Sequence, residues 1–236
     1  MEKEVQDTQQ TTLNYIDGYC ERASKPDVMA EPLNLITNIA FVIGAILVLK
    51  TLMFYKQLIR ANFDIIFLTI VLATIGLGSA AFHSYPNGKT LLMDIIPITI
   101  FIHVYLLSFF KRVAGFNLIF CFITLAAFIG VGILFQNNFS PDTLNGTIMY
   151  VPTYLMLVLM ILVMVFGKQN PLYIHLINTA VIWTFSLAFR TMDVQICSHT
   201  QGIGTHFLWH LLNAVVLYRM LVLLVMDKVI KVRNNS

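Results

Sequence analysis

Five side chains in this sequence combine reactive chemistry with a suggestive placement: Ser79, His83, Asp94, His206 and His210. Ser79 and His83 are spaced i,i+4, as are His206 and His210, so each pair shares one face if its segment is helical. Three neutral imidazoles with one position left open make a known catalytic zinc arrangement. A carboxylate nearby adds a group able to take and return a proton. A lone histidine in an apolar helix is more often a hydrogen-bonded packing residue than a ligand, and His103 and His175 receive that reading. For His83, His206 and His210, a shared depth (derived below) and the presence of Asp94 shift the balance toward a metal. A second polar stripe, Glu31, Asn34 and Asn38, lies at i, i+3 and i+7 and so also on one face. Helix–helix hydrogen bonding accounts for the asparagines. Glu31, following the acidic segment Asp17 to Glu21, either joins that bonding or helps bind a hard cation through oxygen.

Such groups must be positioned by elements built for lipid. Of 236 residues, 58% are hydrophobic and only 11% are charged, with mean hydropathy +0.77. A soluble domain keeps roughly a quarter of its residues charged. The small net charge of +3 is spread over many loops and gives no reason to expect nucleic acid. A spanning helix needs about 20 mostly apolar residues, and seven stretches qualify: Pro32–Tyr55, Asp64–Phe82, Thr90–Phe110, Val113–Phe135, Thr147–Gly167, Tyr173–Arg190 and His206–Met226. The sixth is short and interrupted by Asn178 and Ser186. The expected fold is all-α, a polytopic membrane protein of seven transmembrane helices. Residues 1–30 form a polar extramembrane segment, partly disordered over Glu2 to Thr12 and without the apolar core of a secretory signal. Residues 31–227 form the membrane domain, and 228–236 a basic cytoplasmic tail.

Lys and Arg set the orientation. Lys56, Arg60, Lys111, Arg112, Lys168, Lys228, Lys231 and Arg233 fall in one set of loops, against Lys3, Arg22, Lys25, Lys89 and Arg190 in the other. The bias puts the C-terminus in the cytoplasm and the N-terminus outside. The second span then ends outside, while the third and seventh begin there. Ser79, His83, Asp94, His206 and His210 therefore share one depth in one leaflet. Ionisable groups within spans cost roughly 2.5–3.5 kcal/mol each on insertion scales and default to functional candidates.

The stretches Ala30-Glu-Pro-Leu-Asn34-Leu-Ile-Thr-Asn38, Gly78-Ser-Ala-Ala-Phe-His83 with Asp94, and Gly204-Thr-His-Phe-Leu-Trp-His210 resemble the alkaline ceramidase family. They also fit the wider superfamily of seven-helix membrane hydrolases that includes the adiponectin-type receptors. Asp17-Gly-Tyr-Cys-Glu-Arg22 looks like the opening of bacterial members, which points to a bacterial inner membrane (ER or Golgi in a eukaryote) and an active site toward the non-cytoplasmic face. The resemblance implies that His83, His206 and His210 bind zinc, with Asp94 and Ser79 as catalytic residues beside the attacking water. It implies a membrane lipid as partner, ceramide or a related N-acyl lipid, cleaved to a fatty acid and a sphingoid base or amine. Tyr150 and Tyr154 are further candidates to donate to the developing oxyanion. A family calcium site maps onto Glu21 and Glu31, with Asp17 displaced by one position and Ala23 in place of the family asparagine.

The resemblance also implies a disulfide between Cys20 and Cys197. Both fall in segments placed outside, where a bridge is permitted, while Cys121 lies deep in the fourth span as a small buried hydrophobe. A zinc amidase is the favoured function. The alternative is a receptor or lipid-binding protein of the same superfamily, which should carry an extra domain or a long cytoplasmic segment. No inverted repeat or paired helix break supports a transporter, and no protein partner is evident.

Overall fold

A backbone crossing lipid meets no water, so its N–H and C=O groups must close their hydrogen bonds within helices. The computed structural model describes residues 18–22, 29–55, 62–167 and 172–234, and all regular structure among them is helical. There are seven long helices among these residues: α1 (Pro32–Phe54, with a turn at Asn38), α2 (Phe63–Ser84), α3 (Gly88–Val113), α4 (Leu118–Asn138), α5 (Thr147–Phe166), α6 (Tyr173–Met192) and α7 (His206–Asn234). The expected disorder of Glu2 to Thr12 and the place of Asp17 lie outside the described residues.

Six of these helices are long and apolar enough to cross a membrane, so the chain is a multi-pass membrane protein. The exception is α6. It has 20 residues but carries His175, Asn178, Thr179, Thr184, Ser186 and Arg190. Two expected boundaries shift for local reasons. The fourth span was placed from Val113, but α3 runs on through a π-helical turn, Phe109–Val113. Gly115 then takes a left-handed conformation, and the Asn117 side chain accepts from Phe120 N–H to start α4. The last helix does not stop at Met226: it continues to Asn234, with Lys231 paired to Asp227 one turn back at 2.9 Å.

The core lies where α1, α2 and α7 meet, with Val48, Leu68, Leu72, Leu221 and Leu224 essentially shut off from the surface. Long runs of α2 against α3 and of α6 against α7 complete the bundle. Ile119, Phe120, Phe122 and Ile123 of α4 face outward, as suits a lipid-exposed helix. Contact between α2 and α3 is closest at Gly78, where a Cβ would come within 2.0 Å of the Met93 carbonyl oxygen. Only glycine allows that approach, and it brings Ser79 of α2 beside Asp94 of α3.

Candidate active site

The ends of two helices deliver the histidines. His83 sits in the last turn of α2, and His206 and His210 open α7. All three are buried, and one ring nitrogen from each lies within 4.8 Å of the others. Ring centroids are 5.2 Å apart for His83–His206 and 4.7 Å for both pairs with His210.

The polar stripe of α1 turns out to support these imidazoles. His83 Nδ1 donates to Glu31 Oε2 at 2.6 Å. His210 Nδ1 donates to the Asn34 carbonyl at 3.0 Å, with Thr37 Oγ1 at 3.2 Å. A carbonyl can only accept, so the proton of His210 sits on Nδ1 and the Nε2 lone pair is left for a ligand. Carboxylate and carbonyl acceptors behind ring nitrogens are what metal-ligating histidines ordinarily use. His206 Nδ1 is buried and without a hydrogen-bond partner, an orphan that a metal among these rings would explain. The donor set therefore fits a zinc ion held by imidazoles.

The calcium expectation meets a different arrangement. Glu21 accepts from the backbone N–H groups of Leu33 (2.6 Å) and Asn34 (2.8 Å), which caps the start of α1. Glu31 accepts from Asn34 Nδ2 at 2.7 Å, from His83 and from the buried guanidinium of Arg22. The oxygens a calcium ion would need are engaged by donors, one of them a fixed cation. Among the described residues, Glu21 and Glu31 therefore do not fit a calcium site.

Asp94 is half-buried beside the Ser79 hydroxyl. Its Oδ1 has no partner. Ser79, Asp94, His206 and His210 line one cavity of about 380 Å³, together with Tyr19 and Tyr150. A smaller apolar cavity of about 70 Å³ adjoins it, sharing Ile75, Ile98, Ile102, Tyr150 and Thr153. Tyr154 is not part of this lining. Its Oη bonds to Thr184 Oγ1 at 2.8 Å, and its ring packs on Trp183. His103 bonds to the Thr99 carbonyl and His175 to that of Arg219, in keeping with their packing role.

Sequence reasoning missed three residues at the site. Tyr19 lays its ring 4.0 Å from that of His206. Arg190 enters the cavity from the end of α6. Asp193 accepts from Thr205 N–H (2.7 Å), His206 N–H (2.9 Å) and Cys20 N–H (3.0 Å), so it ties the start of α7 to the N-terminal segment. The expected disulfide joins Cys20 to Cys197 at the same place, with Cα atoms 5.4 Å apart, and Cys121 is free and buried. Gly204 makes this junction possible. It has φ +70°, and a Cβ there would meet Asp193 Oδ1 at 2.1 Å and Cys20 Cβ at 2.6 Å.

Within a bundle of membrane-type helices, three buried histidines able to hold a metal ion thus stand beside a cavity that opens onto an apolar recess. A family-wide comparison matches ceramidase over residues 16–236, and the chain belongs to the ceramidase family. Ceramidases hydrolyse the amide bond of a lipid. No curated protein sequence matches the chain.

Proposed function

We propose that the chain is a zinc-dependent intramembrane amidase that cleaves ceramide or a related N-acyl lipid to a free fatty acid and a sphingoid base or amine. The observation that carries this reading is the cluster of three buried imidazoles, two of which (His206 and His210) line a cavity that also holds a buried carboxylate oxygen, Asp94 Oδ1, without a partner. When bound by His83, His206 and His210, zinc would supply Lewis acidity and a nucleophile at neutral pH. Asp94 takes the proton of the attacking water on Oδ1 and returns it to the leaving amine. The Ser79 hydroxyl, beside this carboxylate in the same cavity, positions it and leaves Oδ1 free. Tyr150 donates to the oxyanion that develops on the amide carbonyl. The apolar recess takes acyl carbons and keeps bulk water from them. All seven helices cross the membrane, with the N-terminus and the site on the non-cytoplasmic side, and Arg22 supplies beside Glu31 the charge expected of calcium.

The test is to incubate protein purified without chelator with a panel of N-acyl lipids that includes ceramide, to quantify released fatty acid, and to measure bound metal. About one zinc per chain, lost in His83→Ala, His206→Ala or His210→Ala, together with fatty acid release is the expected result. Zinc-loaded protein that releases fatty acid from no amide lipid overturns the proposal.

A further inference from the structure

Beyond the histidines and Asp94, the reaction cavity carries a permanent cation. Arg190 reaches it from the end of α6, and no carboxylate among the described residues makes an ion-pair contact with it. Its guanidinium carbon instead lies 5.3 Å from the Tyr150 ring centroid, 5.5 Å from that of Trp209 and 6.0 Å from that of Tyr19. Nε is closed to solvent and has no partner. Gly146 adds no side chain on that flank, where a Cβ would come within 2.9 Å of a terminal nitrogen. Arginine keeps its charge in any protein environment, and a charge withdrawn from water is ordinarily paired. Aromatic rings stabilise a guanidinium, but they leave the unused Nε–H without an acceptor.

We propose that Arg190, with Tyr19 and Tyr150, forms a subsite of the reaction cavity for the carboxylate of an acyl lipid. Guanidinium and carboxylate match in planar, forked geometry, and phenol hydroxyls add donors beside the fork. The subsite lies next to the metal-binding histidines, because the Tyr19 ring stands between Arg190 and His206, 4.0 Å from the latter. The apolar recess that begins at Tyr150 and Thr153 takes the chain. Two sources supply a carboxylate there: the amine half of an amide lipid, as in an N-acyl amino acid, or the fatty acid that hydrolysis releases. The inference rests on the amidase reading for its substrate, but not for its binding test.

The experiment uses zinc-loaded full-length protein in neutral detergent and has two arms. The first measures binding of palmitate against 1-hexadecanol by displacement of a fluorescent lipid, which requires no turnover. The second compares KM for N-palmitoylglycine and N-palmitoylethanolamine. Wild type should favour the acidic member of at least one pair by roughly tenfold or more, the scale of a charge-assisted hydrogen bond. Arg190→Gln should abolish the preference while zinc content and affinity for the neutral member stay unchanged. Preference only in the second arm assigns the carboxylate to the substrate, and preference only in the first assigns it to the product. If Arg190→Gln does not fold, Arg190→Lys keeps the charge without the fork and should lose severalfold of the preference. No acidic preference in wild type in either arm overturns the subsite, as does a preference that survives unchanged in the Arg190 variant that folds. Fatty acid binding without any hydrolysis would sink the amidase reading and leave the subsite standing.

Discussion

Asp193 is 1% exposed, and its two oxygens accept three backbone N–H groups: Thr205 and His206 on Oδ1, Cys20 on Oδ2. Asp193→Ala removes every one of these acceptors. An unsatisfied buried donor costs roughly 1–3 kcal/mol, and the bonds to Thr205 and His206 are buried while that to Cys20 is partly so. Relaxation and water entry recover some of this, so a net loss of about 3–5 kcal/mol is expected. The first turn of α7 also presents His206 to the other imidazoles, and removing outer support of a metal ligand typically lowers metal affinity about 10–100-fold. Thermal unfolding in detergent reads the first effect, and competition for zinc with a chromophoric chelator reads the second. Asp193→Asn should fall between, because its oxygen can keep Thr205 and His206 while its NH2 group faces the Cys20 N–H, donor against donor. An Asp193→Ala protein with unchanged melting and zinc affinity within twofold of wild type would refute the reasoning that Asp193 builds the site.

Asp94→Asn should retain zinc and fold but lose roughly 10²-fold or more in hydrolysis, the usual scale for an acid–base group; near-normal turnover removes Asp94 from the mechanism. Selective chelation of calcium should leave activity and melting temperature unchanged, whereas Arg22→Gln, which strips Glu31 of its buried cation, should destabilise by about 3–5 kcal/mol; calcium-dependent activity would return Glu21 and Glu31 to a cation site. Non-reducing mass mapping should recover a Cys20–Cys197 peptide, and Cys197→Ser should lower stability by about 4–5 kcal/mol in the chain-entropy treatment of so long a loop; free alkylation of Cys20 and Cys197 in native protein would contradict the bridge.

How much of this was legible without coordinates depended on the range of each signal. The helices announce themselves through continuous apolar runs, and the i,i+4 spacing of Ser79/His83 and His206/His210 needs only the helix period. The convergence of α2, α3 and α7 follows from counting spans. Glu31 was ambiguous because a carboxylate at a helix mouth serves a cation or a histidine equally well. Only the hydrogen bond to His83 and the pairing with Arg22 decide it. Asp193 and Arg190 carry no periodic signal, since both stand at the end of α6 and act on partners far away in sequence. The fourth span began late because Gly115 and Asn117 outweighed the apolar run from Val113. The run past Met226 was missed because charge marks a membrane boundary without ending a helix.

These long-range partners change what the segment before α1 is for. His83 leans on Glu31, which leans on Arg22; His206 leans on Asp193, which holds Cys20; and Cys20 is tied to Cys197. Residues 19–22 therefore contact the supports of two of the three clustered histidines, while Tyr19 packs beside the rings themselves. Helix packing alone brings α2 and α7 together, but it does not select the ring orientations. For His83 and His210 those are set by hydrogen bonds to the Glu31 carboxylate and the Asn34 carbonyl, while the backbone of His206 is held by Asp193, which also holds Cys20. Zinc affinity and the integrity of this N-terminal clasp should accordingly be linked: agents that open the clasp weaken metal binding, and bound metal in turn protects the clasp from opening. Protection of the Cys20–Cys197 bridge from reduction by added zinc follows directly from that linkage.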